Sequence, residues 1–300
     1  MSNTATSLRR KIATAGDLES VVRTMKAMAS SCIGQYENAV RSLDDYDRTV
    51  QLGLLACFRR RRPDMPGQRT PEDENAESQA VKGITGAVVF GSDQGLVGQF
   101  NEHLVDFVIA TLRHLPGKKM VWAVGERIQA RLAGTALDVG SGFPLPNSIG
   151  AITTLIGQVL LEIENRRAKG EIGQVYLFHN RPLSGSIYEP VSQRLLPLDD
   201  AWQRELASRR WPTQQLPEVM ADSEQTVFAF VREYLFVSLF RACAESLASE
   251  NASRLAAMQR AEKNIGELLE NLGGDFHRLR QNAIDEELFD VVSGFEAFGR

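Results

Sequence analysis

Apolar residues recur every seven positions along the first fifty residues of the chain. One heptad position is apolar seven times in succession, at Leu8, Ala15, Val22, Ala29, Tyr36, Leu43 and Val50, and the alternate position holds Leu18, Met25, Cys32, Ala39 and Tyr46. This spacing is typical of a helix that packs along a partner helix in a left-handed coiled coil. The pattern predicts one helix over residues 7–58, roughly 75 Å long.

A second long helix is predicted at the other end of the chain. All eleven prolines lie between Pro63 and Pro217, so residues 222–298 are free to form one helix of roughly 115 Å. Its apolar seam has a mean spacing near 3.5 residues and consists of Leu255, Met258, Ile265, Leu268, Leu272, Phe276, Leu279 and Ala283. Because the chain leaves along the first helix and returns along the last, we expect the two helices to pair antiparallel. A four-helix bundle is the alternative explanation of both seams.

The middle of the chain alternates between two kinds of pattern. Short apolar runs at 87–90, 120–124 and 174–178 predict buried strands, and residues 188–198 predict an extended segment. Helical periodicity follows the first two runs, and an amphipathic helix is predicted over 149–169. This alternation indicates a mainly parallel, Rossmann-like sheet covered by helices.

The predicted fold class is therefore α/β, with an antiparallel coiled coil of long N- and C-terminal helices and an inserted Rossmann-like α/β domain. A charged segment with few apolar residues separates the first helix from the sheet, and a polar connector with two tryptophans follows it. An acid at Asp222 with Gln225 three residues later is an acceptable N-terminal cap for the last helix. The predicted boundaries are 1–62 for the first helix, 63–83 for the linker, 84–200 for the α/β domain, 201–221 for the connector and 222–300 for the last helix.

Composition excludes several classes of protein. A net charge of −4 gives no indication of a nucleic-acid partner. No apolar run approaches the ~20 residues that cross a bilayer, and the first residues lack the apolar core of a signal peptide. Cys32, Cys57 and Cys243 are odd in number and widely spaced, which is typical of reduced thiols in a cytoplasmic protein. We therefore expect a soluble chain with no direct membrane insertion.

Candidate chemistry is sparse. The stretch GSDQGLVG at residues 91–98 follows a predicted strand, where a dinucleotide fingerprint would lie, but it is neither G-x-G-x-x-G nor a phosphate-binding loop with its lysine. We expect its glycines to serve a tight turn. The four histidines, His103, His114, His179 and His277, lack the spacing of metal ligands. No catalytic residue, cofactor or metal site is predicted. Two alternatives stay open: a Rossmann-type nucleotide-binding enzyme with helical extensions, and a structural coiled-coil protein with a passive middle domain.

Four stretches resemble the γ subunit of F-type ATP synthases. The N-terminal SLRRKIATAGDLESVVRTMKAMAS is similar to the family's opening helix, and VVFGSDQGLVGQFN is similar to its strand and turn S-D-R-G-L-C-G-x-x-N. ESLASENASRLAAMQRAEKN and RQNAIDEELFDVVSG resemble the C-terminal signatures S-E-x-x-A-R-M-x-A-M-x-x-A-x-x-N and R-Q-x-x-I-T-x-E-L-x-E-I-V-x-G. The resemblance covers nearly the whole chain, and the C-terminal signature is the more specific.

The resemblance implies a rotor without a catalytic site of its own. In the family, the coiled coil stands inside a hexamer of α and β subunits, and the α/β domain sits on the membrane ring of c subunits beside the ε subunit. Rotation couples ion flow, of protons or of sodium, to ATP synthesis or hydrolysis. The location implied is peripheral, on the cytoplasmic face of the bacterial inner membrane. By the same resemblance Met25, Arg280, Gln281 and Glu287 match positions that contact the β subunit.

Several residues depart from the family pattern. Gln94 replaces the usual Arg, Val97 a frequent Cys, Cys32 a common Lys and Asp285 a Thr. Residues 273–274 are a pair of glycines inside the predicted shaft helix, where each costs about 1 kcal/mol relative to alanine. These departures indicate a divergent branch of the family, and the alternate bacterial F-type ATPase that pumps sodium is one interpretation.

Overall fold

The computed structural model describes residues 4–61, 83–185, 187–198, 200–209, 211–215 and 223–298. The helices in these ranges are α1 (Ala5–Arg61), α2 (Phe100–Arg113), α3 (Glu126–Ala133), α4 (Ile149–Ala168), α5 (Asp200–Ser208) and α6 (Ser223–Phe298). The strands are β1 (Ile84–Phe90), β2 (Lys119–Val124), β3 (Asp138–Val139), β4 (Ile172–Ser184) and β5 (Ile187–Leu196). Both long terminal helices are confirmed. The predicted cap at Asp222 and most of the charged linker lie outside the described residues.

The chain divides into two compact units. The coiled-coil unit consists of Met1–Ser30 and Arg254–Arg300, and the sheet unit consists of Ser31–Ser253. Helices α1 and α6 each contribute residues to both units.

In the coiled-coil unit, α1 and α6 run antiparallel. The Arg9 guanidinium lies 5.3 Å from the centroid of the Phe276 ring, whereas Lys26, further along α1, pairs with the earlier residue Glu262 of α6. The predicted antiparallel pairing is therefore confirmed. Leu8 belongs to the predicted heptad position of α1 and is almost fully buried, because the apolar seam faces the partner helix.

The seam of α6 differs from the prediction at two positions. Ala283, predicted as its last residue, is exposed. Leu268 is 48% exposed, and its neighbour Leu269 is the half-buried residue. From Met258 to Leu279 the inward positions alternate by four and three residues, and one of them is Glu262. A pattern built on apolar residues alone passes over Glu262 and then assigns Leu268 to the seam. Leu18 of α1 was also assigned to the seam and is exposed.

The sheet unit contains a five-stranded sheet of order β3-β2-β1-β4-β5. The pairs β1–β2, β1–β4 and β2–β3 are parallel, and β4–β5 is antiparallel. This confirms the mainly parallel sheet, and the predicted extended segment is its antiparallel edge strand.

Helices cover both faces of this sheet. Val88 and Phe90 of β1 belong to a core that includes residues of α1, α4 and α6, whereas Ala87 and Val89 belong to a core with α2 and α3. Strands buried on both faces consist of continuous apolar residues, which explains the unbroken apolar runs in the sequence.

The predicted polar connector contains a helix, α5. Trp202 and Leu206 lie one turn apart on α5, and both pack against the core of the sheet unit. The Trp202 indole N–H donates to the Tyr234 hydroxyl at 3.0 Å. The sequence predicts a polar connector here without assigning an element to it. Two apolar side chains spaced by four residues are enough to dock one short helix.

The three cysteines form no disulfide. Cys57 and Cys243 are buried, and Cys32 is half-buried. Burial away from water raises the pKa of the Cys243 thiol.

Candidate functional site

The C-terminal part of α6 exposes an apolar surface. Every residue from 280 to 292 is exposed. The large apolar ones are Ile284, Leu288, Phe289, Val291 and Val292, with Phe289 the most exposed at 74%. Contiguous exposed apolar residues on a helix are typical of a surface that a partner covers. The side chains of Phe295 and Phe298 lie outside the described residues.

Three of the four predicted contact residues lie on this segment. Arg280, Gln281 and Glu287 are all exposed. Arg280 and Glu287 are seven residues apart and therefore lie near the same face of the helix.

The fourth predicted contact residue, Met25, lies on α1 in the coiled-coil unit. Its side chain is half-buried. Leu18, Val21 and Met28 are each more than half exposed, and with Met25 they are spaced by three, four and three residues. This spacing places the four on one face of α1. The heptad pattern assigns Leu18 and Met25 to the coiled-coil seam and passes over Val21 and Met28, although the spacing of the four residues by three and four indicates one stripe.

An ion-pair cluster lies beside Met25. Lys26 donates to the Glu262 carboxylate, and the Arg23 guanidinium lies 3.8 Å from the same carboxylate. Arg23 also pairs with Glu19 at 2.7 Å. The hydrogen bond from Lys26, with the nearby positive charges, lowers the pKa of the Glu262 carboxyl. The cluster joins α1 to α6 at the level of the predicted contact residue.

The turn at residues 91–98 uses its polar groups within the chain. The Ser92 backbone N–H donates to the Asn101 Oδ1 at 3.1 Å, and the Asn101 amide donates to the Ser92 hydroxyl at 2.8 Å. The Asp93 carboxylate accepts from the backbone N–H of Glu126, the first residue of α3, at 2.9 Å. An internal carboxylate thus occupies a helix N-terminus, the position that attracts phosphate in nucleotide-binding folds.

Steric constraints explain why two positions of this turn are glycine. Gly98 has a φ of 60°, a conformation that favours glycine. A Cβ at Gly91 would lie 2.2 Å from the Cβ of Ile128, so only glycine allows α3 to approach the end of β1. These contacts confirm that the glycines serve a tight, closely packed turn.

Other chemistry is limited in the part of the chain that the structure describes. Its His, Cys, Asp and Glu residues form no group of three or more that could hold a metal ion. His179 instead places its Nε2 2.8 Å from the Glu245 carboxylate. None of the described helices is both long enough and apolar enough to cross a membrane.

Gamma chains of ATP synthases are among the known proteins similar to this chain. The model of the family described as ATP synthase matches residues 4–298. The ATP synthase gamma chain of Polynucleobacter asymbioticus is 25% identical over 302 residues, covering 97% of this chain and 98% of the relative. That of Glaesserella parasuis is 26% identical and covers 98% and 99%.

Solved structures share the fold. The rotor of Euglena gracilis mitochondrial ATP synthase in rotational state 1 contains a chain with a TM-score of 0.64 and 15% identity, over 93% of this chain and 98% of that one. A chain of the OSCP/F1/c-ring assembly of the same enzyme in rotational state 3 has a TM-score of 0.65 and 15% identity, over 98% and 94%.

Proposed function

The chain belongs to the ATP synthase family, and we propose that it is the gamma subunit, the central rotor stalk of an F-type ATP synthase. In this role it carries no catalytic site. It couples ion movement through the membrane ring to ATP synthesis or hydrolysis in the catalytic hexamer. The observation that carries the proposal is the antiparallel pairing of two long terminal helices, with an α/β sheet between them in the sequence, in a chain that matches a gamma chain over 97% of its length.

The exposed end of α6 is the surface that the hexamer of α and β subunits would enclose. Exposure of its five large apolar side chains to water is unfavourable. Enclosure by the hexamer would remove these side chains from water. Met25, Arg280, Gln281 and Glu287 are the proposed contacts to the β subunit. Their support is position: three lie on the exposed segment of α6, and Met25 lies in the apolar stripe of α1.

The sheet unit is proposed to be the foot of the stalk, on the c ring and beside the ε subunit. The resemblance of its strand and turn to the gamma family supports this assignment. With bacterial gamma chains as relatives, the proposed location is peripheral, on the cytoplasmic face of the inner membrane. Proton and sodium coupling are both compatible with this chain, because the c ring determines which ion is carried.

A nucleotide-binding enzyme is the weaker interpretation of the same chain. The polar groups of the 91–98 turn are used by Asn101 and by the start of α3, and the similar proteins described above are gamma chains and ATP synthase rotors. Neither observation favours a small-molecule substrate.

Co-purification tests the proposal. The chain is expressed with an affinity tag together with the genes that encode the other subunits, and the purified material is analysed by mass spectrometry. The expected result is one copy of this chain for three α and three β subunits, with ATPase activity. A chain that purifies alone and binds a nucleotide would contradict the proposal.

A pair of matched variants locates the contact with the hexamer. Phe289 and Phe228 are both exposed phenylalanines of α6, at 74% and 66%, but they belong to the coiled-coil unit and the sheet unit respectively. Phe289→Glu is expected to reduce the recovery of α and β subunits, whereas Phe228→Glu is expected to leave it unchanged. Equal loss with both variants would mean that the α6 end is not the enclosed surface.

A further inference from the structure

Three buried serines on one face of α6 donate hydrogen bonds to the sheet side of the same unit. The Ser246 hydroxyl donates to the Phe90 carbonyl at 3.0 Å, the Ser249 hydroxyl to the Asn180 carbonyl at 2.9 Å, and the Ser253 hydroxyl to the Val97 carbonyl at 2.6 Å. The serines are spaced by three and four residues, so they lie on one face of the helix. Each is at most 8% exposed.

These hydrogen bonds are not the usual ones for serine within a helix. A helical serine commonly bonds back to a carbonyl of its own preceding turn, as Ser20 does to Gly16 in α1. The acceptors of the three α6 serines instead belong to the end of β1, to β4 and to the turn before α2. The helix is thus tied to three separate segments at the carboxyl edge of the sheet.

The acceptors are themselves fixed. The Asn180 side chain donates to the Phe100 carbonyl at 3.1 Å, which ties β4 to the first residue of α2. The hydrogen bonds between Ser92 and Asn101 hold the turn that carries Val97. The 91–98 turn therefore has a role in this structure: it presents a backbone carbonyl to α6.

Small residues accompany the serines on this stretch of α6. Ala242, four residues before Ser246 and therefore on the same face, is buried, and so is Ala252 next to Ser253. Apolar contacts between such surfaces are non-directional, whereas hydrogen bonds are directional and weaken steeply when they bend. The three hydrogen bonds therefore resist sliding of α6 along the sheet edge more than packing alone does.

We infer that Ser246, Ser249 and Ser253 are positioning residues that fasten the sheet to α6, so that torque passes between the sheet and α6 without sliding of one against the other. The inference rests on the proposed rotor function. In this mechanism the 91–98 turn holds α6 in place against the sheet and does not bind a ligand. The three serine hydroxyls act together, because each anchors a different segment of the sheet edge.

The test uses the assembled complex in membrane vesicles. Ser246→Ala, Ser249→Ala and Ser253→Ala are combined, and two rates are measured on the same vesicles: ATP hydrolysis and ATP-driven ion uptake. The expected result is hydrolysis close to that of the unchanged complex with the ratio of ions moved to ATP hydrolysed lower by about threefold or more, since three buried carbonyls lose their donors together. A change in the amount of complex moves both rates equally and leaves this ratio unaffected.

A matched control distinguishes sliding of α6 along the sheet edge from a general loss of stability. Ser238 is a buried serine of the same helix, and its hydroxyl forms a hydrogen bond with Tyr234 of α6 itself. Ser238→Ala is expected to keep the ratio of the unchanged complex. Ser249→Ala alone is expected to lower the ratio less than the triple variant, and it replaces the triple variant if that variant does not assemble.

Amide hydrogen exchange gives a second measurement. Residues 91–98 are expected to exchange faster in the serine-to-alanine variants than in the unchanged complex, and at the unchanged rate in Ser238→Ala. An unchanged ion-to-ATP ratio in the assembled triple variant would overturn the inference, as would an equal loss in the Ser238→Ala control. Failure of the rotor function itself is distinguishable, because the unchanged complex would then show no ATP-driven ion uptake.

Discussion

Replacing Gly273 and Gly274 with alanine should stabilise the coiled-coil unit. Both glycines lie inside α6, and a Cβ built at either has no other atom within 4 Å. A glycine inside a helix is less favourable than alanine by about 1 kcal/mol, because its backbone loses more freedom on folding. The double substitution should therefore add about 2 kcal/mol to the free energy of unfolding. For a chain of this size that corresponds to a rise of about 3 °C in Tm.

The same chemical change at Gly53 should have the opposite sign. A Cβ at Gly53, in the part of α1 that belongs to the sheet unit, would lie 2.3 Å from the Cε1 of Phe230. The ring packs against the core and must shift to accept a methyl group. Overpacking of this kind costs about 1–3 kcal/mol. Gly53→Ala is thus a control with equal helix propensity and different surroundings.

Thermal unfolding followed by far-ultraviolet circular dichroism measures both variants. The purified chain is melted with and without each substitution, and amide exchange around residues 266–280 reports whether the gain is local to the coiled-coil unit. The reasoning is refuted if the double variant melts at the original temperature, or if Gly53→Ala raises Tm as well.

Three further predictions follow from described contacts. Met25→Lys, beside the Lys26–Glu262 pair, should abolish ion-driven ATP synthesis while hydrolysis persists, because the new charge can hold the rotor against an acidic group of the β subunit; vesicle assays that show normal synthesis would count against this contact. Since its pKa is lowered in the folded state, Glu262 stabilises the coiled-coil unit at neutral pH, and this contribution is lost as the pH falls through that lowered pKa. The Tm difference between the unchanged chain and Glu262→Gln should accordingly vanish in strongly acidic buffer, and a difference that persists there would argue for a packing effect. Gly91→Ala should lower the free energy of unfolding by about 1–3 kcal/mol, because its methyl group collides with Ile128; an unchanged urea midpoint would contradict this.

The main elements could be predicted from sequence because each has a strong local cause. The confinement of proline to the middle of the chain allows two long helices. The seven residues of one heptad position of α1, from Leu8 to Val50, face inward as expected, whereas Leu18 and Tyr46 of the alternate position are exposed. The strands could be found because burial on both faces of the sheet leaves unbroken apolar runs at residues 87–90 of β1 and 120–124 of β2.

Other features depend on contacts that no local pattern encodes. Glu262 occupies an inward position of α6 because Lys26 lies opposite it, and this pairing shifts the assignment from Leu269 to Leu268. Helix α5 forms because Trp202 finds Tyr234 on α6, a residue distant in sequence.

Part of the candidate site could be predicted from the sequence, and part could not. The exposed apolar end of α6 could be expected from composition and from the unequal lengths of the two helices. The hydrogen bonds of Ser246, Ser249 and Ser253 could not, since serine in a helix usually bonds to its own preceding turn. Their acceptors are backbone carbonyls, which have no signature in the sequence.

The unequal burial of the three cysteines makes the chain chemically addressable at one native position. Cys57 and Cys243 are at most 3% exposed, whereas the thiol of Cys32 is half-buried on α1. Thiol reagents react with accessible thiolates. Burial raises the pKa of the Cys243 thiol, so this residue forms less thiolate and reacts less readily. A maleimide dye should therefore attach to Cys32 first, and fluorescence polarisation from that position can follow the orientation of α1 without any engineered cysteine.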